Sequence, residues 1–186
     1  MPSIDINFLK KLTENYSNYP IFIETGTCTG DTTFSVEPYF NMVYTIELSE
    51  KLFNSTRSRY IGNKINFIHG DSSIVFQNLL PLIKSDAIFF LDGHWSSGDT
   101  AKGTKDCPLI EEIQYINDLY KNNAIIIIDD FRLFGKGPKV GLNEDWSDIN
   151  KGKIVNILFN RIKSIYHLDS ECAKDDRLII HINSCE

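Results

Sequence analysis

The chain has 186 residues, of which 42% are hydrophobic, enough for one domain with a substantial core. Nineteen basic residues against 25 acidic ones give a net charge of −6, and the basic residues are scattered, which argues against a broad nucleic-acid or membrane surface. No stretch approaches the roughly 20 apolar residues of a membrane span, and the N-terminus lacks the apolar core of a signal peptide. Cys28, Cys107, Cys172 and Cys185 form no Cys-x-x-Cys pair, which speaks against structural zinc and for reduced thiols in a cytoplasmic setting.

Ile4, Phe8, Leu9 and Leu12 recur at helical spacing between Ile4 and Asn15, with Ser3 as N-cap. Residues 1–19 therefore read as an N-terminal helix that packs on a core formed by 20–186 rather than covering a site. After Pro20, the run Ile21-Phe22-Ile23 predicts a short buried strand ending at Glu24. Thr25, Gly26 and Gly30 belong to a loop of small residues, and a short helix is predicted over Thr32–Tyr39. Strand, glycine turn and helix start together suit a nucleotide-type ligand, because glycines admit close backbone approach and the free N–H groups point at the ligand. An ordinary strand–helix turn is the plain alternative.

Met42–Ile46 predicts the second strand, ending at Glu47, which lies 21 positions after Gly26. An acid at that interval can bond both hydroxyls of a ribose. It can equally be a solvent-facing glutamate ahead of the helix Ser49–Tyr60. Asn66–His69 predicts the third strand, followed by Asp71 and Ser72. Asp71 can cap the helix Ser73–Lys84 and still contact an adenine edge.

Ala87–Leu91 is the fourth predicted strand, with Asp92-Gly93-His94-Trp95 at its carboxyl end. A polar loop, Ser96 to Asp106, holds Gly98 and Gly103. Pro108 suits the first turn of a helix to about Tyr120 that turns Leu109, Ile113, Ile116 and Leu119 inward. Ala124–Ile128 is the most apolar run, hence a central strand, and it ends in Asp129-Asp130-Phe131. Gly135–Asn150 reads as a loop over the site, Ile149–Ile162 as a helix, and Ser164–Leu168 and Arg177–Ile182 as two further strands. Five β–α units and a closing hairpin make an open α/β sheet.

From Ile21 to Ile182 these motifs resemble the class I S-adenosylmethionine-dependent methyltransferases. The resemblance implies a Rossmann-like, doubly wound seven-stranded sheet in the order 3-2-1-4-5-7-6, with strand 7 antiparallel. It also implies a single methyltransferase domain. Glu24-Thr25-Gly26 through Gly30 resembles the first motif, in which an acid opens the loop beneath the methionine part of the cofactor; Cys28 stands where many members have glycine. Glu47 matches the ribose-binding acid, Asp71 with Ser72 the adenine turn, and Asp92 the acid after strand four. Leu91 to Trp95, and Asp129-Asp130, are similar to the metal-dependent O-methyltransferases of the catechol and macrolide-sugar types. The inserted Gly93 and the aspartate at 130, where catechol enzymes commonly have asparagine, depart from that pattern.

In that strand order the fourth and fifth strands lie about 4.8 Å apart, which brings Asp92, Asp129 and Asp130 together. Three carboxylates at one point repel and titrate upward unless a cation sits among them. Oxygen ligands suit Mg²⁺, Mn²⁺ or Ca²⁺ better than zinc. Asp129 and Asp130 capping the next turn is the alternative. The implied reaction moves a methyl group from a sulfonium to an oxygen, so the protein must align the acceptor and help remove its proton. His94 is the candidate base, against a histidine that only hydrogen-bonds, and Trp95 a pocket wall. Asp99, Lys102, Lys105, Asp106, Lys139, Asn143 and Asp145 in the two loops suit a hydroxyl-rich acceptor such as a sugar or glycan. The expected partners are S-adenosylmethionine, Mg²⁺ or Mn²⁺, and that acceptor, with no nucleic acid or membrane; a homo-oligomer is allowed. Three rivals remain open: a nicotinamide oxidoreductase, a metal-independent methyltransferase using His94, and a non-catalytic cofactor-binding subunit.

Overall fold

The computed structural model describes residues 2–96, 100–138 and 144–185. Its elements in chain order are α1 (Ile6–Leu9), β1 (Ile21–Thr25), α2 (Asp31–Val36), β2 (Met42–Glu47), α3 (Glu50–Arg57), β3 (Ile65–His69), α4 (Ser72–Leu79), β4 (Ala87–Leu91), α5 (Leu109–Leu119), β5 (Ala124–Ile128), α6 (Lys151–Leu158), β6 (Ile162–Leu168) and β7 (Arg177–Ile182). The strands form one sheet in the order β3-β2-β1-β4-β5-β7-β6. β1 to β5 run parallel, and β7 is antiparallel to both β5 and β6. Order and direction are those implied by the family resemblance.

The central strands are buried on both faces, and their side chains divide between two cores with the two-residue period of a strand. Phe89 and Leu91 of β4, with Ile126 and Ile128 of β5, meet α4, α5 and α6 through Phe76, Ile113 and Ile154. Ile88, Phe90, Ile125 and Ile127 face the other way, onto Phe8, Leu9, Leu12, Val36 and Phe40. The N-terminal segment therefore packs on the sheet, as its apolar residues predict.

That segment is not the helix expected over Ile4–Asn15. Only one turn forms, α1, and its N-cap is Asp5, whose side chain accepts the Phe8 N–H at 2.8 Å, rather than Ser3. The backbone N–H groups of Ser3 and Ile4 instead donate to the Thr32 hydroxyl at 3.0 and 3.3 Å. Further along, Thr13 donates to Tyr166, while Glu14 is held by Tyr19, Lys163 and His181. Thr32 of α2 thus takes the first N–H groups of the segment and Tyr166 of β6 takes that of Thr13, which a longer helix would have used, so tertiary contacts override helical spacing.

The other helices are shorter than expected, each for a local reason. Ser49, Asp71 and Asn150 cap α3, α4 and α6 with their side chains. Pro81 leaves the chain after α4 without an N–H, and the last turn tightens to a 3₁₀ turn, Leu80–Leu82. Behind α6, Arg161 is 5% exposed and donates to the carbonyls of Ile116, Asn117, Tyr120, Asn122 and Asn183 at 2.8–3.2 Å. It closes the C-terminus of α5, where free carbonyls attract a cation. No described helix is long and apolar enough to cross a membrane.

Candidate active site

β1 lies between β2 and β4, so the chain leaves the sheet in opposite directions at the carboxyl ends of β1 and β4. A crevice opens at such a switch point, where doubly wound sheets bind ligands. Here a cleft of about 200 Å³ is lined by Gly26, Glu47, Asp71, Ser72, Asp92 and His94, among others. Six of the expected site residues thus share one wall system. Glu24, Thr25 and Gly30 do not line it, and neither do Asp129 and Asp130.

Gly26 is glycine for two reasons. Its φ is +85°, and a β-carbon there would stand 2.3 Å from the Asp92 carbonyl oxygen. Cys28 also sits in the left-handed region, with φ +48°. Its N–H donates to Glu47 Oε2 at 2.8 Å, and its carbonyl accepts the Thr56 hydroxyl at 2.8 Å, which offsets the strain. Glu47 Oε1 accepts the Ser49 N–H at 2.8 Å. The carboxylate is thereby fixed at the cleft edge, with one further acceptor direction on each oxygen.

Glu24 lies beneath the loop, 1% exposed, and takes hydroxyl hydrogen bonds from Thr33 and from Thr45, the latter at 2.7 Å. Burial pushes its pKa up to about 8, against the pull of those two bonds. It is therefore an uncharged acid at neutral pH and braces β1 against β2 and α2. Burial likewise raises Glu112 to about 7 and Asp129 to about 7. All three hold protons in the folded state that the unfolded chain releases near pH 4. Stability should consequently fall as pH rises from about 4 to 8. Denaturant midpoints measured at pH 5 and 8 check this, and Glu24→Gln should flatten the upper part of the slope. A midpoint that climbs over this range would contradict the assignment.

At the other end of the cleft, His94 is held from both sides. Asp92 Oδ1 is 3.3 Å from Nδ1, Asp130 Oδ2 is 3.3 Å from Nε2, and Glu144 Oε2 is 3.9 Å from Nε2. Trp146 packs on the ring at 5.0 Å and donates to Glu144 at 3.0 Å. Burial opposes protonation of His94, but Asp92, then Asp130 and Glu144, outweigh it and raise the pKa to about 9. The free protein therefore carries an imidazolium here at neutral pH. A base poised near neutrality, as the sequence suggests, requires these carboxylates to be neutralised first.

The three aspartates do crowd. Asp92 is raised by burial and, among its neighbours, by the Asp130 charge; Asp129 is raised by burial and then by Asp92. Their charge is met by protein cations. Arg177 Nε lies 3.3 Å from Asp129, Arg132 pairs with Asp130 and Asp176, and His94 sits between Asp92 and Asp130. Among the described residues, two sets bring ligand atoms within 4.8 Å of one another: Asp92, His94 and Asp130, and Asp129, Asp130 and Asp176. The expected trio Asp92, Asp129 and Asp130 is not one of them. Asp130 has φ +58°, an αL conformation that aspartate tolerates, and begins the 3₁₀ turn Phe131–Leu133.

Asp71 caps α4, accepting from the Ser73 N–H at 2.9 Å, while the Ser72 hydroxyl turns down to Glu112. Trp95 forms part of the wall, as expected, with Lys102 Nζ 4.7 Å from its ring centre. Thr100, Ala101, Gly103, Thr104, Lys105 and Asp106 close over the cleft. Asp106 pins this strap: its carbonyl accepts the Trp95 N–H at 2.7 Å and its carboxylate the Asp145 N–H at 3.0 Å. Of the polar loop residues, Lys102 pairs with Asp106 and Lys105 with Glu111. Gly98, Asp99, Lys139 and Asn143 lie outside the described residues.

Glu112, Glu144, Trp146 and Arg177 escape a reading of the sequence. Only Glu112 leaves a signal: an acid on the inward stripe of α5, next to Ile113.

No family model matches the sequence, and no curated protein does. Solved structures match the fold. An O-methyltransferase from Bacillus cereus, in complex with S-adenosylhomocysteine, superposes with a TM-score of 0.61 at 15% identity over 90% of this chain and 76% of its own. TomG of Streptomyces achromogenes, an O-methyltransferase of tomaymycin synthesis in complex with S-adenosylmethionine, gives 0.57 at 13%, over 91% and 75%. A Listeria monocytogenes protein described as an S-adenosylmethionine-dependent methyltransferase gives 0.62 at 11%, over 97% and 96%. The chain has the class I methyltransferase fold. The cleft opens at the carboxyl ends of β1 and β2, and the Asp92–His94–Asp130 cluster borders it beyond β4.

Proposed function

We propose that the protein is an S-adenosylmethionine-dependent O-methyltransferase that modifies a hydroxyl group of a small polar acceptor, a sugar or glycan, with help from a divalent ion. The observation that carries this reading is the meeting of Gly26, Glu47, Asp71, Ser72, Asp92 and His94 along one cleft of a sheet with this strand order. Glu47, 6% exposed and already anchored by two backbone N–H groups, offers its remaining lone pairs to the two hydroxyls of a ribose. Gly26, which has no side chain, leaves room at the cleft for the amino-acid part of the cofactor. The strap over the cleft keeps water from the transfer point, with Trp95 as its inner wall. Charged loop residues, Lys102, Lys105, Asp106 and Asp145, favour a polar acceptor over a flat apolar one.

The donor set fits a divalent ion. Asp92 and Asp130 would hold it, with His94 between them left to take the acceptor proton, and carboxylate oxygens suit Mg²⁺ or Mn²⁺. A bound ion supplies Lewis acidity that lowers the pKa of an acceptor hydroxyl. Asp129 stands behind, tied to Arg177, and steadies the pair. A metal-independent reading is favoured by one observation: His94 already bridges Asp92 and Asp130 as a cation.

Calorimetry tests the cofactor: S-adenosylmethionine and S-adenosylhomocysteine should bind with dissociation constants of about micromolar size. Binding of NAD alone would overturn the reading. Glu47→Ala should weaken binding by about 1.5–3 kcal/mol, the cost of losing hydrogen bonds to a charged group. Chelation tests the ion. Activity should vanish with a chelator and return with Mn²⁺ or Mg²⁺, and Asp130→Asn should weaken metal binding more than cofactor binding. Full activity in excess chelator would select the metal-independent route.

A further inference from the structure

α5 presents Leu109, Ile113 and Ile116 to the core, and between them Glu112, 1% exposed. An acid in such a stripe is costly to bury unless hydroxyls or N–H groups meet it. One hydroxyl does: Ser72 donates to Glu112 Oε1 at 2.5 Å, and the Thr25 hydroxyl lies near the same carboxyl. The third neighbour is a backbone. A β-carbon on Gly93 would lie 3.2 Å from Glu112 Oε1 and 3.1 Å from Thr25 Oγ1, tighter than ordinary packing. The inserted glycine after Asp92 is therefore what lets the β4 loop pass over Glu112. Ser72 opens the helix after β3, while Thr25 ends β1 and Gly93 follows its neighbour β4, so one carboxyl group ties the turn after β3 to the β1–β4 pair from which β2 separates it. Ser72 and Gly93 both line the cleft, and Glu112 itself does not.

We infer that Glu112 is a positioning residue for the cofactor, fixing the Ser72 turn at the adenosine half of the cleft relative to the ends of β1 and β4. The inference rests on the cofactor reading above. A residue with this role acts through Ser72, so its effect on the cofactor should depend on that hydroxyl. Glutamine keeps the carbonyl oxygen that Ser72 needs; alanine does not.

The test is a cycle of S-adenosylhomocysteine affinities by calorimetry, with thermal midpoints recorded beside them. Glu112→Ala should bind about tenfold more weakly, about the size of one lost hydrogen bond. Glu112→Gln should stay within about threefold of the parent. Ser72→Ala combined with Glu112→Ala should be no weaker than the worse single variant, since both remove one linkage. A lower thermal midpoint with unchanged affinity in Glu112→Ala overturns the inference, as do fully additive losses. Should Glu112→Ala not fold, Glu112→Leu, which suits the apolar stripe of α5, takes its place in the cycle, and fully additive losses with Ser72→Ala there overturn the inference too. A parent protein that binds no S-adenosylhomocysteine overturns the cofactor reading, and this inference with it.

Discussion

Replacing His94 with alanine should slow methyl transfer by about 10²–10⁴-fold, the usual contribution of a positioned acid–base group. Cofactor affinity should stay within about threefold, because Glu47 and the Gly26 loop lie across the cleft from the imidazole. The parent enzyme should show a distinctive pH profile. His94 is protonated up to about pH 9, its burial outweighed by Asp92, Asp130 and Glu144, and only its neutral form can accept a proton. The rate should therefore climb with pH, about tenfold per unit well below that value, and level off near pH 9. A cation on Asp92 and Asp130 cancels the charges that hold the proton, so saturating Mn²⁺ should move the climb to lower pH. Glu144→Gln should shift it the same way by a smaller amount. A flat profile from pH 6 to 9 without metal, together with an active His94→Ala, would remove His94 from the chemistry.

Arg161→Ala should be the most damaging substitution away from the cleft, costing about 3–5 kcal/mol. Five carbonyl oxygens lose a donor at once, that of Ile116 keeping the Tyr120 N–H, and each buried unsatisfied group costs about 1–3 kcal/mol before water and relaxation recover part of it. Arg161→Lys should recover little, because an ammonium cannot span the planar fan of acceptors that a guanidinium reaches. Urea melts read the loss directly. A change below about 1 kcal/mol would mean that water replaces the side chain. Folded Arg161→Ala should bind S-adenosylhomocysteine as the parent does, since α5 ends at the opposite edge of the sheet from the cleft.

The sheet is legible in the sequence because β1, β4 and β5 carry short unbroken apolar runs, β2 and β3 are interrupted only by Thr45 and Asn66, and an acid falls at or just past each carboxyl end. Ala124–Ile128 has no other reading, and Glu47 is placed by its interval from Gly26. What local pattern misses is whatever a distant residue decides. The N-terminal segment has helical spacing but spends its N–H groups on Thr32 and Tyr166. The aspartates after β4 and β5 are brought near each other as the strand order requires. Their partners, His94, Arg132 and Arg177, come from three different segments, and nothing in the spacing says that they answer the negative charge before any metal does. Glu144 and Trp146 are set against His94 by a loop whose sequence has no period to read.

Gly26 and Asp92 touch through their backbones: the Asp92 N–H donates to Thr25 and a β-carbon on Gly26 would collide with the Asp92 carbonyl. The Gly26 and Asp92 loops are thus held against each other, anchored in the adjacent strands β1 and β4. On the methyltransferase reading proposed above, that contact sets the transfer distance before either ligand arrives. The described rim residues, 100–106, 135–138 and 144–150, belong to no strand. Insertions, deletions or wholesale exchange of the rim can retune which acceptor is admitted while leaving the transfer distance untouched. For engineering, this separates two problems: libraries confined to the rim sample substrate choice, and the Gly26–Asp92 junction is the part to leave alone.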